Sequence, residues 1–161
     1  MDKNIVSEVQ GRAGLITLNR AKALNALSLA MIRSITASLL AWRDDRQVQV
    51  VGIRGMRKSS VAGAADEAFG AFCAGGDIRF FHQAALAGNP ELEDFFTEEY
   101  RLNHLIHNYP KPVVAFMDGI VMGGGMAWPR APAHALPPNA PRWPCPRPTS
   151  ACFPTWAAVI S

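Results

Sequence analysis

Two glycine-rich segments carry the residues of this chain that could do chemistry. The first is FCAGGD at residues 72–77, and the second is DGIVMGGG at residues 118–125. Each follows an apolar run and precedes a predicted helix, so its backbone N–H groups are expected at the positive end of that helix. Two such sets of donors predict a pocket for an oxygen that becomes negative during a reaction, as happens when a carbonyl is attacked.

Strands and helices are predicted to alternate around these segments. Residues 5–9 and 13–19 alternate like the two strands of a hairpin, and residues 48–53 and 112–117 are apolar like buried strands. The capping residues predict three helices: from Ser28 to about Trp42, from Asp77 to near Gly88, and from Pro90 to about Asn108. This alternation predicts an α/β fold with parallel strand pairing.

Bulk composition narrows the class of protein. A chain of 161 residues with 49% hydrophobic and 18% charged residues can bury a core. The net charge of +3 comes entirely from Arg130, Arg142 and Arg147, which is too sparse for nucleic-acid binding. No apolar run reaches the roughly 18 residues that a membrane span needs. Three cysteines and an opening without a signal-peptide pattern predict a reducing, cytoplasmic setting.

The composition changes abruptly after Met126. Nine of the 12 prolines lie at or beyond Pro129, and no acidic residue follows Asp118. One interpretation is a disordered, Pro-rich tail over residues 127–161, which could dock an SH3-type partner. The chain would then divide into a folded part, residues 1–126, and this tail.

The other interpretation is a shifted reading frame. If each codon starts on the third base of the present one, residues 143–161 can be translated as AMPETDIGLFPDVGGGYF. Residues 126–129 can become MGLA, as if one G had been lost after the Met126 codon. A tail of random sequence is not expected to yield such a segment, so this interpretation is favoured.

Three motifs give the chain a family resemblance. Residues 19–28 (NRAKALNALS) resemble the first signature of the crotonase (enoyl-CoA hydratase/isomerase) superfamily. Residues 72–78 resemble its A-G-x-D motif, and residues 111–125 resemble its K-P-x-I-A…G-G-G motif. The resemblance covers residues 5–126 and implies a crotonase-like fold of ββα repeats wound in a spiral, of which this chain holds only the N-terminal part.

Within the superfamily, the 3-hydroxyisobutyryl-CoA hydrolases are the more similar branch. Residues 75–79 (GGDIR) and 98–103 (EEYRLN) resemble that branch, and so does the frame-restored string PETDIGLFPD. The resemblance implies a thioester hydrolase of valine catabolism with an acyl-CoA substrate and no other cofactor or metal. Homo-oligomers are known in the family but are not expected from this chain.

The resemblance also assigns roles to residues. The N–H groups of Gly76 and Gly124 would form the oxyanion hole. Lys22 would face a CoA phosphate and the backbone of Ala23 and Leu24 would line the adenine. The further lining residues would be Ala74, Gly75, Asp77 and Gly123, with Asp77 also expected to cap a helix and Asp118 expected in a turn.

Other candidate residues carry less weight. His104 and His107 are three residues apart on a predicted helix, but no third metal ligand is in phase with them. Cys73 lacks a recognisable base and is therefore not expected to be a nucleophile. Both histidines are interpreted as solvated or partly buried residues and Cys73 as a buried thiol.

The resemblance places the catalytic Glu and Asp of the family in the PET…FPD segment, which is absent from residues 127–161 as written. The chain is therefore predicted to have little or no hydrolase activity. Two alternatives stay open: an enoyl-CoA hydratase or isomerase of the same superfamily, and a non-catalytic CoA-binding or interaction protein with a Pro-rich tail.

Overall fold

The computed structural model of the protein describes residues 2–56, 71–128 and 152–160. Within these ranges the chain forms a mixed six-stranded sheet and four α-helices. The elements in chain order are β1 (Ile5–Gln10), β2 (Ala13–Leu18), α1 (Leu29–Arg43), β3 (Val50–Gly55), β4 (Ala71–Cys73), α2 (Ile78–Ala87), α3 (Glu91–His107), β5 (Val113–Val121), α4 (Gly124–Ala127) and β6 (Cys152–Ile160).

The predicted elements are confirmed, with boundary shifts of a few residues. Ser28 caps α1 as expected, because its hydroxyl accepts a hydrogen bond from the amide of Met31 at 3.3 Å. Gly88 ends α2 in the left-handed conformation, which favours glycine because a Cβ is strained there.

The strand order brings the loops that follow β2, β4 and β5 to the same edge of the sheet, at the carboxyl ends of these strands. The order is β1-β2-β3-β5-β4, in which β1 and β2 are antiparallel and the next three pairs are parallel. The carboxyl ends of β2, β4 and β5 therefore point the same way. In open α/β sheets this edge is where ligands bind.

The core lies between the sheet and the pair α1 and α3. The side chains of Ile32, Ile35 and Leu39 from α1 are fully buried with those of Phe95 and Leu102 from α3. The two helices are also joined at their surface, where the Arg33 guanidinium binds the Glu98 carboxylate through two nitrogens at 2.6–3.0 Å.

The expectation of a turn at Asp118 is corrected. Asp118 is not in a turn, because it lies inside β5, which continues to Val121. Within this strand, Gly119 has a φ of +78° and lies where the β5–β6 register shifts.

The tail also differs from an unstructured segment at two places. The side chain of Trp128 is fully buried, its ring 5.9 Å from that of Phe72, and its indole N–H donates to Asn103 at 3.0 Å. Cys152–Ile160 form β6, which pairs antiparallel with β5. Pro154 can lie in this strand because it falls where the β5–β6 register shifts. The rest of the tail lies outside the described residues.

Two side chains from the segment before β5 hold the C-terminal end of α1. The Tyr109 hydroxyl donates to the carbonyl oxygen of Leu39 at 2.6 Å. The Lys111 ammonium donates to the carbonyl oxygens of Trp42 and Asp45, the latter at 2.6 Å. These bonds join α1 to the start of β5, because helix-end carbonyls need partners.

The Tyr109 contact predicts a specific alkaline sensitivity. Burial raises the pKa of Tyr109 to about 12, whereas an unfolded tyrosine titrates near 10. The unfolded state therefore loses its proton first, and stability is lost as the pH rises from about 10 to 12. Tyr109→Phe is expected to lower the free energy of unfolding by about 1 kcal/mol below pH 10, and to lack the alkaline loss.

Thermal melts of both proteins from pH 8 to 12 check this prediction. Tyr100→Phe is the matched control, because Tyr100 is the other tyrosine of the chain and is 71% exposed. Parallel pH profiles for Tyr109→Phe and the unmodified chain would contradict the assignment.

Candidate functional site

Three loops meet at the carboxyl edge of the sheet. They are residues 19–28 after β2, residues 74–77 after β4 and residues 122–125 after β5. The first loop contains a short 3-10 helix, Ala21–Ala23, which ends at Leu24 in the left-handed conformation. All three predicted motifs therefore lie at one edge.

Backbone hydrogen bonds join the first loop to the second. The Ala74 amide donates to the Leu24 carbonyl oxygen at 3.0 Å, and the Leu27 amide donates to the Gly75 carbonyl oxygen at 2.7 Å. The Asp77 amide donates to the Leu27 carbonyl oxygen at 3.0 Å. This short parallel bridge between Leu27 and Gly76 sets the backbone path through the first glycine cluster.

The second glycine cluster packs directly on the first. A Cβ on Gly75 would lie 3.0 Å from the Met122 carbonyl oxygen and 3.1 Å from the Gly123 Cα, and the φ of Gly75 is +87°. Both the space and the conformation therefore require glycine. Gly76 and Gly124 follow these two contacting residues, so their amides lie on adjoining loops.

A groove at this edge contains most of the residues predicted for the ligand site. It is lined by Lys22, Ala23, Leu24, Ala74, Gly76 and Asp77. Gly75, Gly123 and Gly124 adjoin it through the glycine contacts. The sequence interpretation missed the other lining residues, which are Arg20, Ala26, Ile78 and Arg79.

Asp77 has the capping role that was predicted for it. Its Oδ1 accepts from the amides of Arg79 at 3.1 Å and Phe80 at 3.3 Å, and its Oδ2 binds the Arg20 guanidinium at 2.6 Å. Partial burial by itself raises the pKa of Asp77, but the Arg20 and amide hydrogen bonds outweigh it, so the pKa is lowered. This carboxylate is therefore ionised and already occupied.

The thiol of Cys73 is buried, as interpreted. Burial raises the pKa of the Cys73 thiol to about 12, so it is not a thiolate nucleophile at neutral pH. His104 and His107 are both exposed. Across the part of the chain that the structure describes, no group of three or more potential ligands could hold a metal ion.

A carboxylate that the sequence interpretation did not assign to the site is Glu99 of α3. Its Oε1 occupies the space that a Cβ on Gly124 would need. The only signal for it in the sequence was the resemblance of residues 98–103 to one branch of the superfamily. Nothing in that pattern indicates which of the two adjacent glutamates adjoins Gly124.

The strand order and the glycine loops belong to the crotonase class of α/β fold. The solved structure of an enoyl-CoA hydratase from Rhodobacter sphaeroides superposes with a TM-score of 0.66 at 40% identity, over 78% of this chain and 34% of that chain. Residues 13–132 match the enoyl-CoA hydratase/isomerase family, and the chain belongs to that family.

Among its curated relatives, the chain is similar to 3-hydroxyisobutyryl-CoA hydrolases. The chain is 48% identical over 122 residues to a mitochondrial 3-hydroxyisobutyryl-CoA hydrolase of Danio rerio, covering 76% of this chain and 29% of the relative. It is 52% identical over 116 residues to the Xenopus tropicalis protein of the same name, covering 72% and 27%. The chain thus spans under a third of the length of these relatives.

The relatives overturn one expectation. Their names place them in mitochondria, which contradicts the cytoplasmic setting predicted from the cysteine count and the first residues. Among the described residues, no helix has both the length and the apolar character that a bilayer crossing requires.

Asn25 fixes the first loop against the ends of two strands. Its side chain is fully buried and its φ is +55°, a conformation that asparagine adopts more readily than most residues. Its Oδ1 accepts from the Arg20 amide at 2.9 Å, and its Nδ2 donates to the carbonyl oxygens of Met56 at 3.1 Å and Ala71 at 2.7 Å. One side chain therefore joins the first loop to the end of β3 and the start of β4.

Asn25→Ala is expected to lower the free energy of unfolding by about 2–4 kcal/mol, because buried backbone groups lose their partners. Chemical denaturation measures the loss. The control is Asn19→Ala, whose exposed side chain donates to the Lys3 carbonyl oxygen and whose cost should stay at about 0.5 kcal/mol. Equal costs for the two substitutions would contradict the role of Asn25.

Proposed function

We propose that the groove binds the CoA thioester of a small acyl group, and that the chain is part of a hydrolase of the 3-hydroxyisobutyryl-CoA type. The observation that carries this is the contact between the two glycine clusters at the carboxyl ends of β4 and β5. In the proposal, the amides of Gly76 and Gly124 donate to the thioester oxygen. Fixed donors stabilise the charge that develops there, and loss of one typically costs about 10²–10³ in rate.

The same proposal assigns the CoA part of the ligand to the groove. Lys22 is exposed at its rim, where an ammonium can meet a phosphate. Leu24, with φ +52°, turns the backbone at Ala23 and Leu24 into the groove beside Ala74. Gly75, Asp77 and Gly123 shape the wall between the nucleotide and the thioester. Arg20 is held by Asp77 and contributes charge rather than a free donor.

Lys22→Ala is expected to weaken CoA binding about two- to fivefold at low salt, because an exposed ion pair contributes modestly. The effect should shrink at high salt as the charges are screened. Calorimetric titration with CoA measures it, and Arg46→Ala, an exposed residue at the opposite end of the sheet, is the control. Equal losses from both substitutions would count against a phosphate site at Lys22.

The tail explains why the activity of this chain should be low. The family's Glu and Asp would lie in the frame-restored PET…FPD segment, and residues 127–161 contain no Asp or Glu. A positioned carboxylate contributes roughly 10²–10⁴ in rate through general acid–base catalysis. Because the restored frame contains the PET…FPD segment, we attribute the sequence of the tail to the loss of one base after the Met126 codon.

The frame and the activity can be tested together. The chain as written is expected to release no thiol from 3-hydroxyisobutyryl-CoA above background, whereas the product of a gene with one G restored after the Met126 codon should hydrolyse it. Resequencing an independent clone checks the frame directly. An intact frame, or thiol release by the present chain at the rate of the restored protein, would refute this part of the proposal.

A hydratase is the second candidate, supported by the 40% identity to the Rhodobacter sphaeroides enoyl-CoA hydratase. The restored protein separates the two candidates. A hydrolase releases CoA thiol from 3-hydroxyisobutyryl-CoA, whereas a hydratase instead adds water to crotonyl-CoA and removes its ultraviolet absorbance without releasing thiol.

A further inference from the structure

One ion pair connects the first loop to the start of helix α2. The Arg20 guanidinium donates through Nη1 to the carbonyl oxygen of Ala26 at 3.0 Å and through Nη2 to the Asp77 carboxylate at 2.6 Å. The side chains of Arg20 and Asp77 are only 27% and 16% exposed. The pair is therefore screened by solvent less than the exposed ion pairs of the surface are.

The backbone of Arg20 is itself held in place. Its amide donates to the buried side chain of Asn25 at 2.9 Å. Its carbonyl oxygen accepts from the amides of Ala23 at 2.9 Å and Asn25 at 3.0 Å. The guanidinium therefore reaches α2 from a part of the first loop that three hydrogen bonds fix.

The other end of the ion pair holds the first turn of α2. Asp77 is the N-cap of that helix, and its Oδ1 accepts from the amides of Arg79 and Phe80 while its Oδ2 binds Arg20. One carboxylate thus joins the start of the helix to the first loop. Gly76, whose amide is a proposed oxyanion donor, directly precedes this cap.

The Gly76 amide lies in the short bridge between the first loop and the first glycine cluster. On the facing segment, Leu27 donates to the Gly75 carbonyl oxygen at 2.7 Å and accepts from the Asp77 amide at 3.0 Å. Within the described ranges, the Gly76 amide itself donates to no protein acceptor. Its N–H is therefore available to a ligand, whereas the groups on either side of it are bonded.

Arg20 clamps this bridge from the side of the groove. Its two contacts, Ala26 and Asp77, directly adjoin the bridging residues Leu27 and Gly76 in the chain. A planar guanidinium has donors in fixed directions, so it sets the distance between two acceptors more narrowly than a flexible ammonium does. Donors that are fixed in advance stabilise a developing charge well, because they need not move when it forms.

We propose that Arg20 is a positioning residue, which acts through Ala26 and Asp77 to hold the Gly76 N–H in place for the thioester oxygen. This inference rests on the proposed CoA-thioester site. It differs from a simple effect of the Arg20 charge on the CoA phosphates, which needs no contact with Asp77. The two roles can be separated, because removing one or the other member of the ion pair changes the charge of the groove in opposite directions.

The test compares the binding of isobutyryl-CoA and of CoA to the full chain and to two variants. Arg20→Ala removes a positive charge, whereas Asp77→Asn removes a negative charge and keeps a side chain that caps helices equally well. A charge effect alone would weaken CoA binding in the first variant and strengthen it in the second. Loss of positioning instead lowers the preference for the thioester over CoA in both variants.

The unmodified chain is expected to prefer isobutyryl-CoA to CoA. The ratio of the two affinities should fall about fivefold in each variant, as the loss of one neutral hydrogen bond suggests. The double variant should lose no more than either single one, because the two side chains act as a unit. Asp77→Asn decides the matter if Arg20→Ala fails to fold.

Infrared spectra of the bound thioester give a readout that a merely structural role would not move. The carbonyl stretching band should lie at lower frequency in the unmodified chain than in either variant, because hydrogen-bond donors polarise the carbonyl. Arg43→Ala is the matched control, since Arg43 pairs with Asp44 at 3.3 Å at the C-terminal end of α1, whereas the first loop adjoins the N-terminal end. Its band and its thioester preference should equal those of the unmodified chain.

Each outcome separates the inference from the function on which it rests. An unchanged preference and an unchanged carbonyl band in Arg20→Ala and Asp77→Asn overturn the positioning role while leaving the CoA site intact. A loss confined to one of these two folded variants also overturns it, because the role requires the ion pair. Failure of the folded, unmodified chain to bind either ligand overturns the CoA site and the inference with it.

Discussion

The buried amide of Asn25 is the interaction on which the candidate site depends. Its three hydrogen bonds reach the start of its own loop, the end of β3 and the start of β4. That placement allows the following residues, through Leu27, to pair with the first glycine cluster. The second cluster then packs on the first because Gly75 has no side chain. Without the side-chain amide of Asn25, the first loop would no longer be held in register with the first glycine cluster.

Charge is distributed unevenly around the two glycine clusters. On one side of the groove, Arg20 is paired with Asp77 and Lys22 stays exposed. On the opposite side, Glu99 adjoins Gly124 without a cation among the described residues.

Trp128 and β6 show how the tail meets the family-like part. The indole packs on Phe72 directly behind the first glycine cluster and bonds Asn103 of α3. The match to the family also continues to residue 132, a little beyond the predicted boundary at residue 126. In β6, Cys152–Ile160 pair with the strand that leads to the second cluster. The chain covers under a third of the length of the two hydrolases compared.

The sequence by itself determined the local features of this protein. Helix caps such as Ser28 and Asp77, the apolar strands and the glycine clusters depend on neighbouring residues, and spacing reports such relations directly. Only the tertiary structure decided relations between distant segments. The sequence does not show that Asn25 binds Ala71, that Asp118 continues β5, or that Glu99 rather than Glu98 faces Gly124. Those outcomes depend on strand order and on the rotation of α3 against the sheet, which burial of the whole core sets and no local pattern encodes.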